Sequence, residues 1–249
     1  MRRALSILLA LGALLARLAL ARLHLVSAED LPQRLRRTLE RLGTTFIKLG
    51  QMLGLRRDLL PEAYLAALQD LQDHVPPFPA SRARQAIEAS LGAPIGELFA
   101  ELEDTPLGAA SIAQVHRARL PDGREVVVKV RRPGIREAVQ RDMLLLRRTL
   151  RVATLVLPPL RRLRAGDLLA ELEANLLREL DFREEARNIR RFAEAFAGSE
   201  TVYVPEAVSG MVREDVLVQA MSGGRRVDDA SLTAEEGREL AEAFLDAYL

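Results

Sequence analysis

The chain has 249 residues, 49% hydrophobic and 29% charged, the balance of a folded protein of one or two domains. A formal net charge of +1 removes any global electrostatic case for nucleic acid as a partner. With no cysteine, disulfides, cysteine-ligated zinc and thiol nucleophiles are excluded.

The N-terminus reads Met1-Arg2-Arg3, then an apolar run from Ala4 to Ala16 that Arg17 and Arg22 interrupt. That run falls short of the roughly 20 apolar residues a spanning helix needs. A packed helix, a basic amphipathic helix on a membrane surface and a signal peptide all stay open. Against the last, the leucine pattern continues to Val26 with no clear small-residue cleavage site.

From Leu31 to about Leu91 the pattern is helical, with apolar residues at Leu35, Leu39, Leu42, Phe46, Leu49 and Leu53, then at Tyr64, Leu65, Leu68 and Leu71. Pro61 suits a helix start, and Val75 to Pro79 predicts an extended break. Ser81 is expected to N-cap a helix through Ser90 that Gly92 closes. After Pro94 the character changes. Residues 97–104 and 111–120 read as strands, and Pro121-Asp122-Gly123 as the turn leading into a strand from Glu125 to Val130.

A helix from Ile135 to about Leu157 follows, then a break at Pro158-Pro159 and one long helix from Gly166 to Phe196. Tyr203 to Val208 and Asp215 to Met221 read as strands separated by Ser209-Gly210. Ser222-Gly223-Gly224 reads as a linker, and Thr233 as the N-cap of a last helix running to Leu249. This order predicts an α+β fold.

The cations are chosen unevenly. Only Lys48 and Lys129 are lysine; all the others among the 36 are arginine. Coding preference explains most of that. A compact ammonium, however, serves a narrow site where a broad guanidinium fork does not.

Lys129 lies in Val126-Val127-Val128-Lys129-Val130, downstream of the small-residue loop Pro106-Leu107-Gly108-Ala109-Ala110-Ser111. An ammonium emerging from an apolar strand is placed to hold nucleotide phosphates, as on the third strand of kinases. The plain alternative is an edge strand with one solvated lysine. Lys48 lies in Phe46-Ile47-Lys48-Leu49-Gly50-Gln51, otherwise readable as an exposed lysine beside a glycine used for close helix packing. In Glu179-Leu180-Asp181-Phe182-Arg183-Glu184-Glu185, one continuous helix puts Asp181 and Glu185 on a common face. A solvated acidic face is the plain alternative there.

Taken together, these motifs resemble the N-terminal half of the UbiB/AarF family of atypical kinase-like proteins, over roughly residue 30 to the end. Lys48-Leu49-Gly50-Gln51 is similar to the family's Lys-x-Gly-Gln signature, and Ala109-Ala110-Ser111 to its replacement for the kinase glycine-rich loop. Val128-Lys129-Val130 resembles its nucleotide-lysine strand, and Glu179-x-Asp181 with Glu185 its acidic helix motif.

The resemblance implies a kinase-like N-lobe, a small antiparallel sheet with helices, preceded by a helical extension and with the C-lobe almost entirely missing. The implied segments are an N-terminal helix (1–26), the extension (27–94), the N-lobe (95–222) and the start of a C-lobe (223–249). It implies that Lys129 contacts ATP or ADP phosphates and pairs with Glu185, beside the loop of Gly108, Ala109, Ala110 and Ser111. Lys48, with Gln51, would meet Glu179 or Asp181, and Gln219 to Met221 would form the adenine hinge.

No catalytic aspartate and no metal ligands are expected within the chain, so Mg2+ would enter only with a C-lobe. The implied setting is quinone-lipid biosynthesis, in the cytoplasm and membrane-associated. Implied partners are nucleotide, a membrane surface or lipid, and the missing lobe or a partner chain; nucleic acid is not one. A non-catalytic nucleotide- or membrane-binding module is the alternative. Gly108 departs from the family's usual alanine, which is expected to loosen the loop and alter nucleotide preference.

Overall fold

The structure is a computed structural model that describes residues 2–22, 24–25, 27, 29–71, 75–156, 164–224 and 233–248. In chain order the elements begin with α1 (Arg2–Arg22), α2 (Leu31–Leu42), α3 (Thr44–Gly54) and α4 (Glu62–Gln69). Next come α5 (Ala80–Leu91), the short α6 (Ile95–Leu98), β1 (Glu101–Leu102), β2 (Gly108–Ala109), β3 (Ala113–Arg119) and β4 (Glu125–Arg131). The rest are α7 (Ile135–Val156), α8 (Ala165–Glu179), α9 (Phe182–Ala195), β5 (Ala207–Val212), β6 (Val216–Ala220) and α10 (Ala234–Tyr248). They fall into two compact units.

The first unit comprises Met1–Phe78, Ala109–Gln114 and Arg131–Leu180 and is mostly helical. Its core gathers Ile7 of α1, Leu39 and Leu42 of α2, Phe46 of α3, and Leu68 and Leu71 at the end of α4. Fully burying each such side chain contributes about 1.5–3 kcal/mol before chain entropy is subtracted. The apolar pattern through Leu42 and Phe46 is helical and shows no interruption, but Gly43 (φ 85) divides the segment into α2 and α3. The left-handed φ is open to glycine at little cost and lets α3 restart at a new angle. Arg3 of α1 forks onto the buried Asp142 of α7, with Nη2 to Oδ2 at 2.6 Å.

The second unit comprises Pro79–Gly108, Val115–Val130 and Asp181–Leu249. Its antiparallel sheet runs in the order β1-β3-β4-β6-β5, with β2 paired to β3. In β4, Val126, Val128 and Val130 are buried and the residues between them are not, the period of two that a half-covered strand requires. Val216, Leu217 and Val218 of β6 are all fully buried, as befits a strand covered on both faces. Helix α9 packs on β5 and β6, and α5 on β6. The expected turn is present, with Gly123 at φ 91 donating its N–H to Leu120 O.

Several expectations change. Residues 97–104 do not form one strand: Ile95–Leu98 is a helical turn and pairing is limited to Glu101–Leu102. Pro79, with φ fixed at −54, occupies the cap position of α5, so Ser81 lies inside that helix. Gly92 closes it in the left-handed conformation, as expected.

The strand expected at Tyr203 to Val208 begins only at Ala207, since Pro205 has no N–H to give to a ladder. Gly210 (φ 78) sits within β5, where the register to β6 shifts, rather than separating two strands. Thr233 caps α10 reciprocally: Glu236 N–H donates to its Oγ1 at 3.2 Å and its own N–H to Glu236 Oε2 at 2.7 Å. Leu240, Phe244 and Leu245 of α10 are exposed. The expected Pro158-Pro159 break lies outside the described residues.

Candidate nucleotide-binding site

Alternation along β4 turns Lys129 away from the buried valines, opposite Leu217 of β6. Its Nζ donates to both carboxylate oxygens of Glu185, at 2.9 and 2.7 Å. Glu185 stands in the first turn of α9, where the positive end of the helix dipole favours an acid. Beneath the ammonium lies the ring of Phe182, fully buried, its centroid 5.0 Å from Nζ. The side chains of Lys129 and Glu185 remain 28% and 38% exposed, so the pair can be reached from solvent.

The long helix expected from Gly166 to Phe196 is two helices. α8 stops at Glu179, and Asp181 (φ −110, ψ 98) starts α9 from an extended conformation. Asp181 therefore does not share a helix face with Glu185. Its Oδ1 accepts the Arg183 N–H at 3.0 Å, and the Arg183 guanidinium binds both its oxygens. The hydrogen bond from Arg183 holds the Asp181 carboxyl below the usual carboxylate range.

At the end of β6, Gln219 is in register with Val127 on one side and Ala207 on the other. The Met221 N–H is engaged within the sheet, donating to Glu125 O at 3.2 Å. Gly108 lies in β2 on the surface, where an added Cβ would meet nothing within 4 Å. These positions belong to the second unit.

In the first unit, Lys48 of α3 meets Glu179 of α8 at 3.7 Å, so of its two expected acids Glu179 is one it pairs with. Gln51 donates through Nε2 to Leu71 O at 3.1 Å. Between them Gly50 permits close packing: a Cβ there would stand 2.4 Å from Leu71 Cδ1 and 2.7 Å from Leu39 Cδ1. Lys48, Gln51 and Glu179 line an open depression of about 340 Å³ whose apolar wall includes Met52, Leu68 and Leu71.

The small-residue loop turns through an Ala110 N–H to Ala113 O bond at 2.8 Å, and Ser111 is buried. Arg132, which the motif pattern leaves without a role, holds this loop. It donates to Ala110 O at 3.3 Å and Pro76 O at 2.9 Å, stacked 5.2 Å over the Phe78 ring. Burial pulls its pKa below the ordinary arginine value. The motifs likewise assign no role to Phe182 and Arg183, although an aromatic and an arginine directly after Asp181 are the available signal. Among the described residues no group of three or more His, Asp or Glu is placed to hold a metal ion.

A model of the ABC1 atypical kinase-like domain matches residues 70–249. The chain belongs to that family. Among curated members, the probable protein kinase UbiB of Marinobacter nauticus is 40% identical over 218 residues, 86% of this chain and 40% of that protein. The probable protein kinase UbiB of Aeromonas hydrophila is 43% identical over 228 residues, again 86% of this chain and 42% of that protein. The chain thus spans about two fifths of the curated UbiB relatives it matches.

A solved structure of Rv3197 from Mycobacterium tuberculosis, in complex with erythromycin, aligns with TM-score 0.51 and 34% identity over 75% of this chain and 46% of that one. The family and this structural likeness agree with the kinase-like N-lobe and antiparallel sheet expected from the motifs.

Proposed function

We propose that residues 95–222 form the ATP-binding lobe of an atypical kinase or ATPase-like protein, with 27–94 as its helical extension. The two-pronged Lys129–Glu185 pair carries this reading. A partly exposed ion pair contributes only about 0–1 kcal/mol to stability, so fold stability is a weak reason for its geometry. A carboxylate that fixes an ammonium on a sheet, reachable from solvent, suits the phosphates of ATP or ADP.

When bound, ATP supplies a phosphoanhydride whose terminal phosphoryl group can be transferred. Lys129 would bind and orient the phosphates, and Glu185 would hold the ammonium in place. Because the Met221 N–H is engaged with Glu125, the Met221 carbonyl is the hinge group assigned to adenine. Gly108, in the same unit as Lys129, would bring backbone near the nucleotide. Lys48 and Glu179, with Gln51, would couple the extension to the lobe. The described residues do not fit a Mg2+ site, so no step runs through the metal. Its ligands and the catalytic aspartate are assigned to the further length that the relatives have.

Calorimetric titration of the 249-residue chain with ADP and with ATP tests the reading. Lys129→Ala should weaken binding at least tenfold, and Lys129→Arg should fail to restore it because the fork does not fit a point-charge site. Wild-type affinity in Lys129→Ala would overturn the proposal.

A second reading rests on the first unit. Leu5, Leu8, Leu9 and Leu20 of α1 are exposed, while Arg3 and Arg17 on the same helix bind Asp142 and Asp30. On α7, exposed Leu144 and Val152 alternate with exposed Arg141, Arg148 and Arg151. Apolar side chains beside guanidinium groups suit an anionic lipid surface in the cytoplasm, where a role in quinone-lipid synthesis would place the protein. No described helix is long and apolar enough to cross a membrane. Flotation should follow anionic but not neutral vesicles and fall when 1–26 is deleted; unchanged flotation would remove α1 from the surface.

A further inference from the structure

We propose that Asp181 is a positioning residue. With Arg183 and Glu214 it forms a clasp that sets the first turn of α9 and thereby holds Glu185 against Lys129. The effect on nucleotide rests on the reading above; the geometry does not.

The spacing of Asp181 and Glu185 suggests two acids on one helix face. The break after α8 rules that out. Leu180 is fully buried and Asp181 is extended, so its carboxylate turns back onto the start of α9. There Oδ1 accepts from Arg183 N–H, satisfying one of the N–H groups that a helix start leaves unpaired. The Arg183 fork then closes on the same carboxylate, Nε to Oδ1 at 2.8 Å and Nη2 to Oδ2 at 2.7 Å.

The clasp continues to the β5–β6 turn. Arg183 Nη2 lies 3.7 Å from Glu214 Oε2, and the Phe182 N–H donates to Glu214 O at 3.0 Å. A cap alone would stabilise the helix without fixing its rotation. A cap joined to a backbone bond and an ion pair on a neighbouring turn fixes that rotation as well. Rotation matters because one residue of helical slip is 100°, enough to carry Glu185 off Lys129. Phe182, buried beneath the ammonium, is a further fixed point in the same turn. With both oxygens of Asp181 engaged by Arg183, its influence on a ligand would pass through Glu185.

The test uses the full chain and ADP as probe, with Kd by calorimetry and unfolding midpoints measured in parallel. Asp181→Ala should weaken ADP about fivefold, the size of a lost helix cap. Asp181→Ser keeps a capping oxygen and should recover part of the affinity. The decisive comparison is in a Glu185→Gln background. There Asp181→Ala should leave Kd nearly unchanged while still lowering the unfolding midpoint. Multiplying losses in the double variant would overturn the clasp, because Asp181 would then act on nucleotide independently of Glu185.

If Lys129→Ala weakens ADP but Asp181→Ala does not, the clasp is wrong and the nucleotide reading stands. If Lys129→Ala has no effect, the nucleotide reading fails. The clasp is then judged by amide exchange across 182–188, which Asp181→Ala should accelerate about fivefold; unchanged exchange would overturn it.

Discussion

The two lysines each meet a glutamate from one short stretch of chain, Glu179 and Glu185, but the pairs are built differently. In the sheet unit, Lys129 springs from a strand pinned on both sides and reaches both oxygens of Glu185 within 2.9 Å. In the helical unit, Lys48 reaches Glu179 at 3.7 Å, and the close fit lies two residues away, where Gly50 sits against Leu39 and Leu71. Precision therefore resides in the ion pair in one unit and in the apolar packing in the other. Substitutions that separate charge from packing test this contrast.

The largest effect is expected at Gly50. A Cβ there would stand 2.4 and 2.7 Å from two leucine methyls, and Val adds further atoms against a core that includes Leu39 and Leu71. Gly50→Val should destabilise the chain by about 3 kcal/mol, read from denaturant midpoints. Gly50→Ala should cost less, since better helix propensity returns about 1 kcal/mol. A Gly50→Val midpoint equal to wild type would mean that α3 and α4 are not held so closely.

Next is the difference between the two ion pairs. A double-mutant cycle on Lys129 and Glu185 should give a coupling of about 1 kcal/mol, and one on Lys48 and Glu179 about 0.3 kcal/mol. Equal couplings would erase the distinction between the units.

Much of this was legible in the sequence, for physical reasons. The Val-rich strand with Lys129, the Gly123 turn and the Gly92 helix stop each follow from local stereochemistry. The pairing of Lys129 with Glu185, and of Lys48 with either Glu179 or Asp181, is what the family resemblance implies; the structure puts Lys48 on Glu179. What periodicity hid were the breaks. A helix that stops at Gly43 or Leu180 and restarts a residue or two later keeps apolar residues at helical intervals, so the pattern reads through both. Asp181 was misplaced for that reason, although Asp is a preferred helix cap. At β5, the pull of Tyr203 and Val204 toward strand was outweighed by Pro205.

A smaller effect is expected with pH. Arg183 depresses the folded-state pKa of Asp181, with a weaker contribution from Arg187. A depressed carboxylate pKa stabilises the fold fully above the unfolded value of about 3.9 and loses that contribution as pH falls through the folded value. Asp181→Ser keeps a cap but not the charge. Its stability deficit should be about 0.5 kcal/mol from pH 5 upward and shrink below about pH 4. Asp30, Asp58 and Asp122 are also depressed by arginines, so only the difference between variant and wild type isolates Asp181. A deficit that persists unchanged at pH 3 would show that the charge contributes nothing.

A change no larger than the pH effect is expected at Gly108, the counterpart of Gly50. It pairs within β2, its φ is not left-handed, and an added Cβ would meet nothing within 4 Å. Nothing in the folded chain therefore requires glycine, and its freedom acts in the unfolded state. Gly108→Ala should raise stability by about 0.5 kcal/mol by restricting the unfolded chain. With β2 already held to β3 through the Leu107 N–H to Val115 O bond at 2.8 Å, the Kd for ADP should move less than about twofold. A larger shift, or one that differs between ADP and ATP, would show that strand pairing at Gly108 opens when nucleotide binds. The sheet unit would then owe its fit to a mobile loop as well as to the fixed Lys129–Glu185 pair.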